Sequence, residues 1–374
     1  MKKFISMAVI ALMTAMSLTS CLGSDEPTEP ITYLMANGAF VVNSGNQRAG
    51  VDGSLTYLEY EGAKVSQNVY QNANGASLGV TANDAVVCGS KVYIVGSDEK
   101  TIFVADRNSV KKIANISTGS YTPRHIATNG KRVYVSTYDN KVLDIDTLAL
   151  TVAKEYSCGN YSEGICAVGK YVFVADSNYG MGKDGASLSL IDTESGQTTK
   201  YTNDNIVNPT IVFYLVSPDS RIHLYYVDQG SYDAVTYDQS GQAVYELGND
   251  SKSYKVCDAT MAAISSTGIL YAINAPYTSS ETKPTYMMYN LISGGKGQFI
   301  DGSDIDSPAA IAVDPANGYV VISSYKKVDG KVSYSTPGYA CIYNGNGKQL
   351  KKFDTGVGPT AVCFNTFDFV VKNN

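Results

Sequence analysis

Residues 130–147 read GKRVYVSTYDNKVLDIDT, in which two apolar segments flank a polar turn. The segments, VYVST and KVLDID, are rich in β-branched and aromatic residues, which fit the pleated surface of a strand. The second segment ends at Asp146, and a short carboxylate accepts backbone N–H bonds two residues later and starts a tight turn. The stretch therefore predicts two antiparallel strands followed by a turn.

The same pattern recurs along the whole chain. The acid or amide that ends the second strand falls at intervals between 40 residues (106 to 146) and 54 residues (290 to 344). Its positions in the seven copies are Glu59, Asp106, Asp146, Asp192, Asp238, Asn290 and Asn344. We interpret these residues as turn formers rather than catalytic acids, because local hydrogen bonding already explains the residue type.

Each repeat also contains two further apolar stretches. One follows the turn, as in TVAKEYS at 151–157, and the other often follows a proline, namely Pro123, Pro209, Pro308 or Pro359. Proline favours extended geometry in the residue before it and fits the start of a strand. Each repeat is thus four short strands, which is typical of a β-propeller blade. We expect an all-β fold, a seven-bladed β-propeller with four antiparallel strands per blade.

The two ends of the repeat array predict how the propeller closes. Residues 360–371 read as strands with no further partners after them, and the first copy has no proline-led strand before it. We therefore expect the C-terminal strand to pair into blade one, which removes two free strand edges. No helix is predicted after the leader, because no long segment has a 3.6-residue period.

The first 36 residues differ in composition from the repeats. Lys2 and Lys3 precede a mostly apolar stretch, residues 4–16, that is too short for a comfortable membrane span. Small and polar residues then lead to Cys21, which is the layout of a secretory signal. Acid and proline follow the cysteine, and such a segment cannot bury apolar area. The predicted segments are a signal peptide at 1–20, a flexible tether at 21–36 and a single propeller at 37–374.

The charge balance of the chain argues against nucleic acid as a partner. The full chain has 29 Lys and Arg and 35 Asp and Glu, a net charge of -6. Removing residues 1–20 takes away Lys2 and Lys3, which leaves 27 against 35 and a net charge of -8. Binding of a phosphate backbone requires a basic surface, so we expect no nucleic-acid partner.

Six cysteines follow Cys21, and the sequence leaves their pairing open. An even number outside the cytoplasm permits disulfides. Cys166 and Cys363, however, share a column of the repeat with Ala127 and Ala312, a small buried position that favours free thiols. The six positions are Cys88, Cys158, Cys166, Cys257, Cys341 and Cys363.

Motifs for catalysis, metals and cofactors are missing from the sequence. No C-x-x-C, H-E-x-x-H, G-x-S-x-G or P-loop occurs, and the two histidines, His125 and His223, have no serine or carboxylate motif around them. Residues 176–185, DSNYGMGKDG, have oxygen ligands at spacings that suggest calcium but lack the closing glutamate of an EF-hand. We interpret this stretch as a polar loop, and we expect no catalytic residue, metal or cofactor.

Loop lengths predict which face binds a ligand. In an antiparallel unit, the loop between strands two and three lies on the same face as the link between blades; it is long in blades one, four, six and seven and short in blades two, three and five. Insertions on one face of a repeat array usually mark the binding face. Tyrosine and amide side chains there would suit a large polar ligand, although they also fit ordinary hydrophilic loops. The candidate ligand-binding residues are Asn43, Asn46, Arg48, Tyr138, Asn178, Tyr179, Tyr232, Tyr277, Tyr325 and Lys326, with Tyr121, Arg124 and Tyr161 in the links.

Several stretches resemble known lipoproteins. VYVSTYDNKVLDIDT and VFVADSNYG…SLSLIDTESG resemble the YVTN-type propeller repeat, and FVVNSGN…GSLTYLEYEG resembles the first repeat of seven-bladed propeller lipoproteins of Bacteroides-type bacteria. The resemblance covers residues 38–374 and is weaker in blades five to seven. LTSC at 18–21 resembles a lipobox, which implies cleavage before Cys21 and lipid on its thiol. Ser24-Asp25-Glu26 resembles the acidic tag that exports lipoproteins to the outer surface of the outer membrane; a periplasm-facing anchor is the alternative.

The resemblance implies a function in capture rather than catalysis. We expect a lipid-anchored surface protein that binds cobalamin or another large polar nutrient and passes it to a TonB-dependent transporter. The sequence leaves two alternatives open. One is a propeller enzyme of the lactonase or lyase type, and the other is an adhesion or scaffold module that binds a protein or a glycan.

Overall fold

The computed structural model describes residues 31–371 except 182, 280 and 281. The predicted lipid-attachment residue Cys21, the predicted signal peptide and residues 21–30 of the predicted tether lie outside the described residues. The described chain is all-β, as predicted. Its helices are one short α-helix and three 3-10 turns, Gln47–Ala49, Glu61–Ala63 and Asn178–Gly180, and none of them has the length and apolar character of a membrane span.

The strands follow one another closely along the chain. The first group is β1 (Ile31–Asn43), β2 (Ser54–Glu59), β3 (Val65–Ser66), then the helix α1 (Val69–Asn74), β4 (Ala82–Cys88), β5 (Lys91–Gly96), β6 (Thr101–Asp106), β7 (Lys112–Ser117), β8 (Pro123–Thr128), β9 (Val133–Thr137), β10 (Lys141–Asp146), β11 (Thr151–Ser157), β12 (Ser162–Val168), β13 (Tyr171–Asp176), β14 (Ser187–Asp192) and β15 (Thr198–Tyr201). The second group is β16 (Pro209–Val216), β17 (Ile222–Asp228), β18 (Ser231–Tyr232), β19 (Gln239–Ser240), β20 (Ala243–Leu247), β21 (Ser253–Cys257), β22 (Met261–Ile264), β23 (Ile269–Asn274), β24 (Thr285–Asn290), β25 (Lys296–Gln298), β26 (Ser307–Val313), β27 (Val320–Val328), β28 (Lys331–Ser333), β29 (Pro337–Tyr343), β30 (Gln349–Val357) and β31 (Pro359–Val371).

Within the described residues, seven sheets each contain a row of four antiparallel strands. We number the sheets 1 to 7 along the chain. Their strand orders are β31-β1-β2-β3, β4-β5-β6-β7, β8-β9-β10-β11, β12-β13-β14-β15, β16-β17-β20-β21, β22-β23-β24-β25 and β26-β27-β29-β30. Strand β28 adds to β27, and β18 and β19 form a separate two-stranded sheet. In each sheet, the link from the preceding sheet enters the first strand on the same side as the loop between the second and third strands. We call the surface formed by these links and loops the loop face.

The first strands of the sheets contact one another in sequence. Contacts join β4 to β8, β8 to β12, β12 to β16, β16 to β22, β22 to β26, β26 to β31, and β31 to β4. Buried apolar side chains also fill the space between every two neighbouring sheets, sheets 7 and 1 included. This packing explains the long apolar runs in the middle strands, because a strand covered on both faces needs no polar alternation.

Most predicted turn formers make the expected bonds. Asp146 Oδ1 accepts from the backbone N–H groups of Leu148 and Ala149, at 2.8 Å each. Asp106, Asp192, Asn290 and Asn344 accept in the same way from residues two to four positions later. The prediction that these residues are structural is therefore confirmed at five positions. In sheet 1 the chain instead turns through Glu61–Ala63, where Gly62 has φ 71°.

Sheet 5 corrects the prediction at Asp238. The sequence offers two similar segments, AVTYD at 234–238 and AVYEL at 243–247, and the prediction placed the third strand of the sheet in the first one. The structure uses the second as β20, because Val244 is fully buried whereas Val235 is 85% exposed. Residues 229–242 therefore form a long insertion on the loop face, and the prediction of a short loop in this repeat is wrong.

Two further features differ from the sequence prediction. Helix α1 was not predicted, because its six residues are too few to show a helical period. Its Tyr70 is buried against Phe103, with ring centres 5.8 Å apart, and Gly75 ends the helix in the left-handed conformation. Strand β1 begins at Ile31, so residues 31–36 of the predicted tether pair with the end of β31.

Candidate functional site

Polar side chains lie close together at the loop-face ends of the first strands of sheets 2, 3 and 4. Asn83 and Asp84 lie on β4, Arg124 and His125 on β8, and Glu163 on β12. Together with Tyr138, which directly follows β9, they form one hydrogen-bonded network that we call the Arg124 cluster. Its members come from sheets 2, 3 and 4, so only the packing of those sheets brings them together.

Arg124 is held on three sides within the cluster. Its Nη2 donates to Glu163 Oε2 at 2.8 Å, and its Nη1 donates to Asn83 Oδ1 at 2.9 Å. Its guanidinium carbon lies 4.4 Å from the centre of the Tyr138 ring, within the range of a cation–π contact. The Tyr138 hydroxyl donates to Glu163 Oε1 at 3.1 Å. Burial raises the pKa of Tyr138, so its hydroxyl keeps the proton that it donates.

His125 lies between two carboxylates. Its Nδ1 is 3.0 Å from Asp84 Oδ2, and its Nε2 is 3.7 Å from Glu163 Oε2. A carboxylate only accepts hydrogen bonds, so the Nδ1–H group donates to Asp84. The His125 side chain is 31% exposed, so part of the imidazole faces solvent at the edge of the cluster.

A row of tyrosines continues from the cluster to the surface. The ring centres of Tyr138 and Tyr161 are 5.8 Å apart, and those of Tyr161 and Tyr179 are 5.4 Å apart. Tyr161 is 43% exposed and Tyr179 is 67% exposed. We call these three residues the tyrosine row. It offers a flat amphipathic surface beside the hydrogen-bonding groups of the Arg124 cluster.

The two exposed tyrosines of the row have a strained backbone. Tyr161 has φ 49° and Tyr179 has φ 55°, in the left-handed region that side chains with a Cβ atom avoid. That conformation costs about 1–2 kcal/mol for an L-residue. Such outliers concentrate at functional sites, where the surrounding structure maintains them. The same conformation occurs at other described residues in turns, Val110 and Leu150 among them, so it does not by itself mark the row as a site.

Comparison with protein families places the chain. A family model described as "Domain of unknown function (DUF5074)" matches residues 37–328. The chain belongs to the DUF5074 family. No curated protein sequence matches it.

One solved structure with a similar fold is a β-propeller-like protein, Kuenenia stuttgartiensis hydrazine synthase. The identity is 14% and the TM-score is 0.58, and the alignment covers 78% of the DUF5074 chain and 95% of the other chain. At this identity the likeness concerns the fold alone. The resemblance to YVTN-type lipoproteins stays a prediction.

The structure brings together only some of the predicted ligand-binding residues of the DUF5074 chain. Arg124, Tyr138, Tyr161 and Tyr179 meet in the cluster and the row. Asn178 precedes Tyr179, and its Nδ2 donates to the backbone oxygen of Asp184 at 2.9 Å, so it shapes the loop. Tyr121 lies elsewhere, since its hydroxyl donates to Glu155 on the outermost strand of sheet 3.

Asn43 corrects a predicted ligand contact. It is fully buried at the end of β1, and its Nδ2 donates to Ser54 Oγ at 3.1 Å and to Thr56 Oγ1 at 3.2 Å. Its Oδ1 accepts from the backbone N–H of Gly356 at 3.0 Å. Asn43 therefore fixes sheet 1 to sheet 7 and presents no side chain on the loop face.

The remaining predicted residues form two other groups on the loop face. Near sheets 7 and 1, Asn46 donates to the backbone oxygen of Tyr334, whose ring packs on Tyr325, and Lys326 pairs with Asp354 at 2.9 Å. Arg48 is exposed in the neighbouring 3-10 turn. Near sheets 5 and 6, the β18–β19 hairpin exposes the predicted Tyr232 and also Tyr237, and the loop after β23 exposes Tyr277.

Residues 176–185, the loop that suggested calcium, are held in place by a buried aspartate. Asp176 is fully buried and accepts from the hydroxyls of Ser162, Ser187 and Ser189 at 2.6–2.8 Å. Burial raises the pKa of this carboxyl despite the three hydroxyls. Across the described ranges, no three His, Cys, Asp or Glu side chains are grouped in a way that could hold a metal ion. The six described cysteines are free thiols.

Sequence reasoning missed Asn83, Asp84, His125 and Glu163. A signal was nevertheless present, because the first strands of the second, third and fourth repeats begin NDAVV, RHIAT and EGICA. The corresponding segments of the fifth and seventh repeats, TIVFY and AAIAV, begin with less polar residues. A comparison of the first residues of these segments across the repeats would have shown that polar and charged side chains are concentrated in the second, third and fourth repeats. Only the structure, however, shows that these side chains bond to each other.

Proposed function

We propose that this DUF5074 protein is a seven-bladed β-propeller that captures a ligand on its loop face. The fold part of the proposal is supported by the seven four-stranded sheets, the succession of contacts from β4 through β26 to β31, and the contact of β31 with β4. Apolar packing between sheets 7 and 1, like that between all other neighbours, supports a closed ring.

One observation carries the binding function. The tyrosine row runs without interruption from exposed Tyr179 to Tyr138. The buried side of Tyr138 contacts Arg124 and Glu163. Binding sites combine a largely apolar or aromatic surface with a few fixed polar groups. The row and the Arg124 cluster provide both, on the face where the loops are longest. A large polar organic molecule is the class of ligand that this surface suits, and cobalamin is the specific case implied by the sequence resemblance.

The position of β1 supports an orientation for an anchored protein. β1 starts at Ile31 on the side opposite the loop face, because it runs toward that face and ends there at Asn43. Ile31 lies ten positions after Cys21, a reach of about 35 Å when fully extended. A lipid on Cys21 would thus leave the loop face pointing away from the membrane, where it can meet nutrients.

Calorimetry tests the binding function. The protein without its signal peptide, with Cys21→Ser to prevent oxidation, is titrated with cyanocobalamin and then with other corrinoids. Tight binding that Tyr179→Ala weakens, and that Tyr254→Ala leaves unchanged, supports cobalamin capture. Tyr254 is a matched control, since it is an exposed tyrosine on the last strand of sheet 5. A null result with all corrinoids rejects the cobalamin version, and a ligand screen by melting temperature then continues the search.

The anchor is tested separately in cells. Metabolic labelling with palmitate should mark the wild-type protein and leave Cys21→Ser unlabelled. Protease added to intact cells should degrade the protein if it lies on the outer surface and spare it if the anchor faces the periplasm. Recovery of an outer-membrane β-barrel with the purified lipoprotein would favour transport over adhesion.

A second candidate function is general acid–base catalysis. The Asp84 carboxylate holds Nδ1 of His125, the arrangement that orients an imidazole as a base. Incubation of any bound ligand with the protein, followed by mass spectrometry, tests this candidate. A new product that disappears in His125→Asn would establish an enzyme of the lactonase or lyase type. An unchanged ligand after prolonged incubation would leave capture as the function.

A further inference from the structure

The charged groups of the Arg124 cluster already have partners within the protein. Arg124 faces Glu163 at 2.8 Å, and the Asp84 carboxylate accepts from His125 Nδ1 at 3.0 Å and from the backbone N–H of Ile126 at 3.2 Å. The carboxylates are 13% and 18% exposed, so both pairs are partly withdrawn from water. An anionic ligand would approach two carboxylates as well as the arginine, and a cationic ligand would approach the arginine. A charged ligand therefore gains little here unless it breaks a pair, which is costly at partly buried positions.

The hydrogen-bonding groups of the cluster alternate between donors and acceptors. The guanidinium has five N–H donors, of which three are used on Glu163 and Asn83. Next to it lie two acceptors with an unused lone pair, Oε1 of Glu163, which accepts one hydrogen bond from Tyr138, and Nε2 of His125. A group that both donates and accepts through one atom fits such a surface best, and among neutral organic groups that is the hydroxyl.

The tyrosine row adds a stacking surface next to these groups. Tyr161 and Tyr179 are inclined at 44° to each other with centres 5.4 Å apart, so they form a shallow bend rather than a slot. A flat planar aromatic ligand could stack on one of these rings but not on both, because the rings are not coplanar. A puckered ring with apolar C–H faces and polar edges can rest against both tyrosines while its edges reach the Arg124 cluster.

We propose that the loop-face ligand is a neutral saccharide, with sugar rings packed on Tyr161 and Tyr179 and hydroxyls bonded to Arg124, Glu163 and His125. This inference rests on the proposed capture function and names its ligand class. It assigns contact area to the tyrosines and hydroxyl recognition to the charged side chains. Since no ion pair forms with the ligand, binding depends only weakly on salt.

Calorimetry on a defined panel tests the ligand class. The probes are neutral hexasaccharides of glucose (α- and β-linked), mannose and xylose, an anionic galacturonate hexasaccharide, and cyanocobalamin. We expect at least one neutral hexasaccharide to bind, and the galacturonate hexamer to bind at least about tenfold more weakly, a difference of about 1.4 kcal/mol. Affinity should change less than about twofold between 50 and 500 mM NaCl, because exposed-charge attraction is absent.

Variants locate the saccharide. Tyr179→Ala and Glu163→Gln should each weaken binding of the neutral saccharide about five- to tenfold, since one aromatic contact or one charge-assisted hydrogen bond is lost. Tyr254→Ala should leave it unchanged, and circular dichroism should show that all variants are folded. Loss of affinity in Tyr254→Ala alone would overturn the placement.

The panel separates this inference from the capture function. Binding of cyanocobalamin with no binding of any saccharide overturns the saccharide class and leaves capture intact. Equal or tighter binding of the galacturonate hexamer overturns neutrality. Binding of none of the probes overturns the saccharide class, and only a further null in the wider melting-temperature screen would count against capture itself.

Discussion

The guanidinium carbon of Arg124 lies 4.4 Å from the centre of the Tyr138 ring, and the two side chains share Glu163 as a hydrogen-bond partner. The pair joins the first and second strands of sheet 3 to the first strand of sheet 4. Arginine suits this position because its planar group can stack on a ring and bond to a carboxylate at the same time. Arg124 is thus both part of the candidate site and a link between sheets.

Arg124→Ala should destabilise the protein by about 2 kcal/mol, because it leaves the partly buried carboxylate of Glu163 without its cation. Urea denaturation of the purified protein measures the change. Arg221→Ala is the control, since the Arg221 side chain is 71% exposed in its pair with Asp219. Surface pairs of that kind contribute about 0–1 kcal/mol. Equal effects of the two substitutions would contradict a structural role of Arg124.

Tyr179→Gly should separate stability from binding. Glycine adopts a φ of 55° without strain, which recovers about 1–2 kcal/mol, but it also gives the unfolded chain more freedom at a cost of about 0.5–1 kcal/mol. The free energy of unfolding should therefore change by less than about 1 kcal/mol. Ligand binding should weaken as it does in Tyr179→Ala. Strong destabilisation by glycine would show that the tyrosine is needed for folding instead.

Asp176→Asn should make stability less dependent on pH. Burial raises the pKa of Asp176 above its ordinary 3.8, so the folded state holds the proton more tightly than the unfolded state does. This residue's contribution is present below pH 3.8 and is lost as pH rises through the folded-state pKa. The difference in melting temperature between variant and wild type should consequently move in favour of the variant from pH 4 to pH 7. A constant difference would contradict the raised pKa.

The thiols of the folded protein should be unreactive. Burial raises the pKa of Cys158 and Cys257 to about 12, and it also raises the pKa of Cys166, Cys341 and Cys363. Thiolates are the reactive form, so titration of native Cys21→Ser with Ellman's reagent should detect less than one thiol per chain. All six should react after unfolding in guanidinium. A count of four or two in the unfolded, unreduced protein would reveal disulfides.

Truncation should distinguish the two halves of β31. Residues 359–365 include buried Cys363 and Asn365, and they fill the first-strand position of sheet 1. Residues 369–371 are exposed and pair only with Ile31–Tyr33. A chain that ends at Thr366 should unfold cooperatively at nearly the wild-type temperature, whereas one that ends at Gly358 should show no cooperative transition. A folded chain lacking all of β31 would contradict its role in joining sheets 7 and 2.

The sequence predicted the repeated parts of the fold well, for a local reason. Strand positions follow from apolar runs, and turn positions follow from side chains such as Asp146 that bond to their own backbone nearby. Where two segments satisfied the same local pattern, as in AVTYD and AVYEL, the prediction failed. Burial of Val244 against a neighbouring sheet decided between them, and a neighbour in space is invisible in a local pattern.

The candidate site likewise has features that the local sequence predicted and features that depend on neighbours in space. Tyrosines, amides and Arg124 could be assigned to one face from loop lengths and strand direction alone. Asn43 was misassigned because its position at the end of a strand does not reveal that its side chain turns inward to Ser54 and Thr56. His125 looked isolated, since its carboxylate partners Asp84 and Glu163 are 41 and 38 residues away along the chain.

The sequence by itself determined an all-β chain of seven four-stranded repeats, the residue types of its turns and the face on which long loops gather. These features depend on contacts within one repeat, so each repeat encodes them. The tertiary structure decided which side chains form the site, because Asp84, Arg124 and Glu163 belong to three repeats and meet only when three sheets pack side by side. The pairing of opposite charges across those sheets therefore exists only in the folded protein.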